Sequence, residues 1–334
     1  MSENLNSKTI LKVENLKMYF PIRRGFFGRM VGEVKAVDGI SFVIENGKTF
    51  GLVGESGCGK TTTGKCVLRI YQPTDGYVFY KGIDITQMTK AQISPFRRDI
   101  QLIFQDPFGS LDPRQSVHAI LKEAIVSDKQ HHPSQEIKNR VSELLEAVEL
   151  DVSMSDRYPH EMSGGQRQRL GIARALACDP DLIVCDEPVS ALDVSIQAQI
   201  INLLKRLQKK RGLTYLFIAH DLAVVHHIAD VIAVMYLGKI VESMNAKDIY
   251  EKPMHPYTKA LLTAVPITDY HVEKKRARII LEGEVPSPIH APSGCPFHPR
   301  CRFATEECKI TMPQLNDEGN GHQVACHNLD KVTD

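Results

Sequence analysis

Thr49-Phe50-Gly51-Leu52-Val53 is a short apolar run, and Gly54-Glu55-Ser56-Gly57-Cys58-Gly59-Lys60-Thr61 follows it directly. The second stretch fits G-x-x-x-x-G-K-[ST], and its context is the required one, an apolar strand before and a helix after. Glycines let successive backbone N–H groups turn inward around phosphate oxygens. The helix, expected from Lys60 to about Ile70, adds the partial positive charge of its N-terminus. In such a loop the lysine reaches the β- and γ-phosphates and the following hydroxyl coordinates Mg²⁺. Lys60 and Thr61 stand in those places, with Thr62 next in the same turn. Cys58 reads either as a redox-sensitive thiol at a helix N-terminus or as a small residue that suits a tight turn.

Outward from this loop, strands and helices alternate. Val37–Ile44 carries apolar residues partly in strand alternation, and Leu182–Cys185 and Tyr215–Ala219 are short and fully apolar. Helical spacing marks Val117 to about Leu150, Gln166–Ala177 and Val194–Lys210, while Pro107–Pro113 reads as an irregular loop. Short, fully apolar strands between helices imply an α/β fold with a parallel sheet covered on both faces. Beyond about residue 250 prolines crowd the chain, and a small appended domain poor in regular structure is expected there.

Composition excludes some classes. Lys+Arg is 41 and Asp+Glu 40, a net charge of +1, which argues against nucleic-acid binding through bulk positive charge. The basic run Lys274–Arg278 lies between Glu273 and Glu282 and reads as solvated surface. The stretch Thr214–Gly238 is broken by His220, Asp221, His226, His227 and Asp230, so it is no spanning helix. The N-terminus lacks the pattern of a secretory signal. The cytosol is the expected compartment, with a membrane reached only through a partner. Of eight cysteines, Cys295, Cys301, Cys308 and Cys326 fall within the last 40 residues. In a reducing compartment such a cluster suggests a metal rather than disulfides.

Two further elements belong with a nucleotide. Ile183-Val184-Cys185-Asp186-Glu187 is an apolar strand ending in two carboxylates, at the strand end where parallel sheets bind ligands. Asp186 would hold Mg²⁺ through water beside Thr61, and Glu187 would polarise the attacking water. Met162-Ser163-Gly164-Gly165-Gln166 opens the next helix and makes a second anion site. Head-to-tail dimerisation would let each nucleotide sit between the phosphate loop of one subunit and the Ser-Gly-Gly turn of another.

The order of phosphate loop, Gln105, Met162–Gln166, Asp186-Glu187, Ser190-Ala191-Leu192-Asp193 and His220 resembles the ATP-binding cassette (ABC) ATPases over residues 10–250. Met162 stands where leucine is usual, a volume-conserving departure. The resemblance implies a P-loop ABC-type ATPase with a mixed parallel sheet and a helical subdomain near 107–165. It implies that Gln105 senses the γ-phosphate and Mg²⁺ and links the site to a transmembrane partner. It also implies that Ser190–Asp193 crosses the dimer interface and that His220 contacts the γ-phosphate. An N-terminal aromatic should stack on adenine. Tyr19 and Phe20 are the candidates, Phe20 fitting the family spacing better.

The C-terminal pattern Cys295-x5-Cys301-x6-Cys308-x17-Cys326 occurs with Pro253-x-His255-Pro256-Tyr257-Thr258 and Phe108–Arg114. Together they resemble the oligopeptide/dipeptide importer subfamily, most closely its second, F-type, ATPase subunit, with residues 251–334 as a C-terminal cysteine-rich domain. That resemblance implies import of oligopeptides or dipeptides, a second and different ABC ATPase subunit, two transmembrane permease subunits, and an extracytoplasmic solute-binding protein. The place would be the cytoplasmic face of the membrane. Nickel or an oligosaccharide remains an alternative cargo. A soluble ABC ATPase acting on ribosomes or DNA is disfavoured by the single P-loop and the absence of sustained heptads. The four cysteines would hold a [4Fe–4S] cluster in a structural role, with Zn²⁺ the alternative; His298, His322 and His327 are possible substitute ligands.

Overall fold

The computed structural model describes residues 8–25, 29–128, 132–264, 279, 281 and 283–332. The basic run Lys274–Arg278 lies outside the described residues. Five strands come first: β1 Thr9–Arg24, β2 Arg29–Glu45, β3 Thr49–Val53, β4 Asp75–Tyr80 and β5 Ile83–Asp84. Next are β6 Ile100–Ile103, β7 Leu182–Asp186 and β8 Thr214–Ala219, and last β9 Val231–Tyr236, β10 Lys239–Asn245, β11 Asn316–Asp317 and β12 Gln323–Val324. The longer helices are α1 Lys60–Val67, α2 Val117–Ile125, α3 Ser134–Ala147, α4 Gly164–Leu176, α5 Val194–Arg211, α6 Leu222–Ile228 and α7 Pro256–Ala264.

The described residues divide into two compact units. One draws on the chain up to 44, on 49–87 and on everything from 219 onward; the other on 45–48 and 88–218. In the first unit β1 pairs antiparallel with β4, Leu11 opposite Tyr80. In β2, buried Phe42 and Ile44 alternate with exposed Ser41, Val43 and Glu45, the period of a half-buried strand. β3 pairs parallel with β9, Leu52 opposite Ala233, and all five of its residues are buried. Burial of a side chain such as Leu52 or Val53 contributes roughly 1.5–3 kcal/mol. Antiparallel β10 and β12 extend this sheet, Glu242 lying opposite Val324. The described residues after 250 cluster with the first unit.

In the second unit β6, β7 and β8 run parallel, Leu102 opposite Val184 and Val184 opposite Leu216. Every residue of β7 is buried. The single helical pattern read from Val117 to Leu150 is two helices, because Pro133 sits at the N-cap of α3. The segment expected as irregular loop contains a helical turn, Pro107–Ser110. Helix α1 is shorter than expected and ends at Val67, since Arg69 takes a left-handed φ of 54°. No described helix is long and apolar enough to cross a membrane.

Candidate functional site

The phosphate loop lies in the first unit between β3 and α1. Its backbone runs against two neighbours. A Cβ at Gly54 would lie 2.1 Å from the Met235 carbonyl oxygen, and one at Gly59 2.0 Å from that of Ala36. The Gly238 amide donates to the Cys58 carbonyl (2.9 Å) and fixes the turn. Lys60 is 4% exposed. Its ammonium donates to the carbonyls of Gly54 (2.7 Å) and Glu55 (3.0 Å), which holds the charge inside the loop. Gly59 is the N-cap of α1, and no side chain caps the helix there, an arrangement that suits a helix start meant for an anion. Burial pushes the Cys58 thiol up, with Lys60 offsetting it in part. A buried, protonated thiol is a poor nucleophile, which favours the small-residue reading.

The two aromatic candidates point to different ends of α1. The Tyr19 hydroxyl donates to Asp38, which also pairs with Lys239 (2.8 Å), and Lys35 sits 5.4 Å over the Tyr19 ring. Asp38 is bonded through its amide to Gly238, the residue that holds Cys58. Tyr19 therefore connects to the phosphate-loop end. Phe20 instead packs edge-on against Tyr71, whose ring carries Lys65 from the last turn of α1. His220 follows β8 immediately and is exposed; its neighbour Asp221 caps α6 by accepting from the Ala223 amide.

In the second unit the structure brings Gln105 and Glu187 together: the Gln105 amide donates to a Glu187 carboxylate oxygen (3.1 Å). Glu187 has φ 46°, left-handed for a residue with a side chain, a conformation that costs on the order of 1–3 kcal/mol and clusters at functional sites. It is held there because its amide donates to the Ile218 carbonyl (2.9 Å) while its own carbonyl accepts from the Ser190 amide and hydroxyl. Asp186 is 8% exposed at the end of β7. Ser163 caps α4 reciprocally: its hydroxyl accepts from the Gln166 amide and its amide donates to the Gln166 side chain (2.9 Å). Ser163 and Gln166 thus form a capping box, which the reading of that turn as an anion site had not foreseen. A Cβ at Gly165 would lie 2.8 Å from Ile196, just past Asp193, the N-cap of α5. Arg174, near the end of α4, donates to the Ser110 carbonyl and stacks its guanidinium 5.5 Å from the Phe104 ring. It braces the segment that carries Gln105, a role the sequence had not shown.

The four C-terminal cysteines, 295, 301, 308 and 326, line one pocket with His255, Phe297, Phe303 and Asn328. Hydrogen-bond donors reach the sulfurs in this pocket. The Asn328 amide donates to Cys326 Sγ (3.4 Å) and its side chain to Cys308 Sγ (3.2 Å). Backbone amides of Phe297 and Phe303 face Cys295 and Cys301. Burial pushes the thiols of Cys295, Cys301 and Cys326 up, Cys295 to about 11. Among the described residues no three His, Cys, Asp or Glu side chains stand where they could hold a single metal ion. The possible substitute ligands are engaged: His322 pairs with buried Glu242 (2.8 Å), and His298 and His327 bond to the carbonyls of Cys295 and Thr311.

A strand, P-loop and helix in one unit, with a glutamine–glutamate pair and a capped Ser-Gly-Gly-Gln turn in the other, define an ATP-binding cassette. The family model "ABC transporter" matches residues 37–190, and "Oligopeptide/dipeptide transporter, C-terminal region" matches 241–308. The oligopeptide transport ATP-binding protein AppF of Bacillus subtilis is 52% identical over 323 residues, 96% of this chain and 98% of AppF. The oligopeptide transport ATP-binding protein OppF of Escherichia coli is 48% identical, over 97% of this chain and 98% of OppF. The solved post-hydrolysis dimer of the ATP-binding cassette MJ0796, bound to ADP and Pi, is 27% identical with a TM-score of 0.63, covering 71% of this chain and 99% of that one. The chain belongs to the family of oligopeptide and dipeptide transport ATP-binding proteins.

Proposed function

We propose that this chain is the ATP-hydrolysing subunit of an importer of oligopeptides or dipeptides, working peripherally at the cytoplasmic face of the membrane. One observation carries the reading: a cassette and an oligopeptide/dipeptide C-terminal region occur in one chain. Two permease subunits and a solute-binding protein complete the assembly, with a second, different cassette subunit.

The P-loop residues Gly54–Gly59, with Lys60, Thr61 and Thr62, hold the phosphates of ATP. Mg²⁺, when bound, neutralises charge that develops on the phosphoryl oxygens. Thr61, Gln105 and Asp186 would hold it. Glu187 takes the proton of the attacking water, Gln105 orients that carboxylate, and His220 contacts the γ-phosphate. Ser163–Gln166 of one cassette closes over the nucleotide of the other, and Asp193 lies at that interface. Tyr19 stacks on adenine, because its hydroxyl bonds to Asp38, which Gly238 ties to the phosphate loop, whereas Phe20 packs its ring on Tyr71.

The cysteines hold a [4Fe–4S] cluster in this proposal. Four cysteine sulfurs lining one pocket match the number of thiolates that such a cluster takes. The N–H groups that reach the sulfurs offset in part the burial that pushes these thiols up. Metal analysis of anaerobically purified protein is expected to find about four irons per chain, and Cys308→Ser to lose them. One zinc per chain, or no metal, refutes the cluster.

The whole reading is tested in proteoliposomes with the permease pair and binding protein. Short peptides are expected to stimulate ATP hydrolysis. Stimulation by nickel or an oligosaccharide, and not by any peptide, overturns the cargo.

A further inference from the structure

The cysteine segment touches the phosphate loop itself. Arg300 lies between Phe297 and Cys301, and its guanidinium forms a two-pronged ion pair with Glu55, Nη1 to one carboxylate oxygen (2.8 Å) and Nη2 to the other (3.2 Å). Glu55 is the first variable position of the P-loop. The Arg300 side chain is 8% exposed, against 27% for Glu55. A second contact reaches the same residue from the same side, where the Tyr257 hydroxyl accepts from the Glu55 amide (2.9 Å). Tyr257 packs against Phe297 (5.4 Å between ring centroids), and Phe297 against Tyr236 (5.3 Å) at the end of β9. Cys295 starts this segment, and its amide is fixed by the Cys308 carbonyl (2.8 Å). A continuous, mostly buried path therefore runs from the cysteine pocket through Phe297 and Arg300 to the loop whose carbonyls, at Gly54 and Glu55, receive Lys60.

A bidentate pair fixes orientation as well as position. It restrains Glu55, a residue of the loop whose amides must face phosphate oxygens. We propose that Arg300 is a positioning residue for nucleotide binding, and that the cysteine-bearing segment and the phosphate loop are thereby coupled sites. The inference rests on the ATP-binding role proposed above but not on which metal the cysteines take. Coupling of this kind is reciprocal: nucleotide on the loop must tighten residues 294–308, as that segment steadies the loop.

The experiment uses the full-length chain as purified. Affinity for a fluorescent ATP analogue is measured for the wild type, Arg300→Lys, Glu55→Gln and the double variant. Amide hydrogen exchange of the 294–308 peptide is followed with and without ATP. Lysine keeps the charge and loses the fork, so Arg300→Lys is expected to bind the analogue about 5–20-fold more weakly. The double variant should be little worse than either single one. ATP should slow exchange in 294–308 in the wild type and not in Arg300→Lys. A purely stabilising role for Arg300 would lower the melting temperature and leave affinity and ATP-dependent exchange unchanged, and that result overturns the proposal. Additive losses in the double variant overturn it as well. Should Arg300→Lys not fold, wild-type exchange still decides: no ATP effect at 294–308 refutes the coupling. A wild type that binds no nucleotide refutes the ATPase reading instead.

Discussion

Glu187→Gln is expected to slow ATP hydrolysis by at least about 100-fold and to leave ATP affinity within a few-fold of the wild type. The substitution removes the base and little else. The amide has the volume of the carboxylate, and its oxygen can still accept the Gln105 N–H that now donates to Glu187 at 3.1 Å. The left-handed backbone at this position is held by the Ile218 carbonyl and by Ser190, not by the side chain. Nothing in the phosphate loop changes. Phosphate release under saturating ATP gives the rate, and a fluorescent nucleotide gives the affinity; the chain has no tryptophan to complicate the signal. If binding is lost together with hydrolysis, Glu187 is structural. If hydrolysis persists within a few-fold, the base is elsewhere.

Local pattern made most of this fold legible. β3, β7 and β8 are continuous apolar runs, each wholly buried, and runs of that kind need no partner to be recognised. α4 and α5 fall within two residues of their expected bounds, because their periodicity is strong. What escaped depends on distant parts of the chain. Arg300 and Glu55 are 245 residues apart, and no spacing rule links them; Arg300 was visible only as part of a cysteine motif. Arg174 reaches Ser110 across 64 residues. Prolines hide the short strands of the segment after 250. Its two-residue β12 is nonetheless fixed to β10 by pairing at Glu242 and Ser243, which composition cannot reveal. Tyr19 and Phe20 stay alternatives in the sequence because spacing does not give the partners of either ring, and neighbours on a strand face opposite sides.

Gly59→Ala is expected to weaken nucleotide binding by about 100-fold or more, the scale of loss that a 1 Å misplacement of a positioning group produces. The residue has φ +109°, and an added Cβ would lie 2.0 Å from the Ala36 carbonyl oxygen and 2.8 Å from the Met235 side chain. The methionine can move, but Ala36 cannot move easily. Two residues on, the Asp38 amide is bonded to Gly238, and its carboxylate is held by Tyr19 and Lys239. The phosphate loop must shift instead, and with it Lys60 and the first amides of α1. Gly57→Ala is the matched control: its φ of +81° is also left-handed, but a Cβ there meets nothing within 4 Å. It carries only the backbone strain of about 1–2 kcal/mol, and affinity should fall by no more than about 30-fold. Circular dichroism of both variants should keep the wild-type helix and strand content, because neither position lies inside a strand and only the loop must move. Wild-type affinity in Gly59→Ala would mean that β2 yields to the loop. Equal losses in the two variants would mean that backbone strain, and not the close approach of Ala36, makes glycine necessary at Gly59.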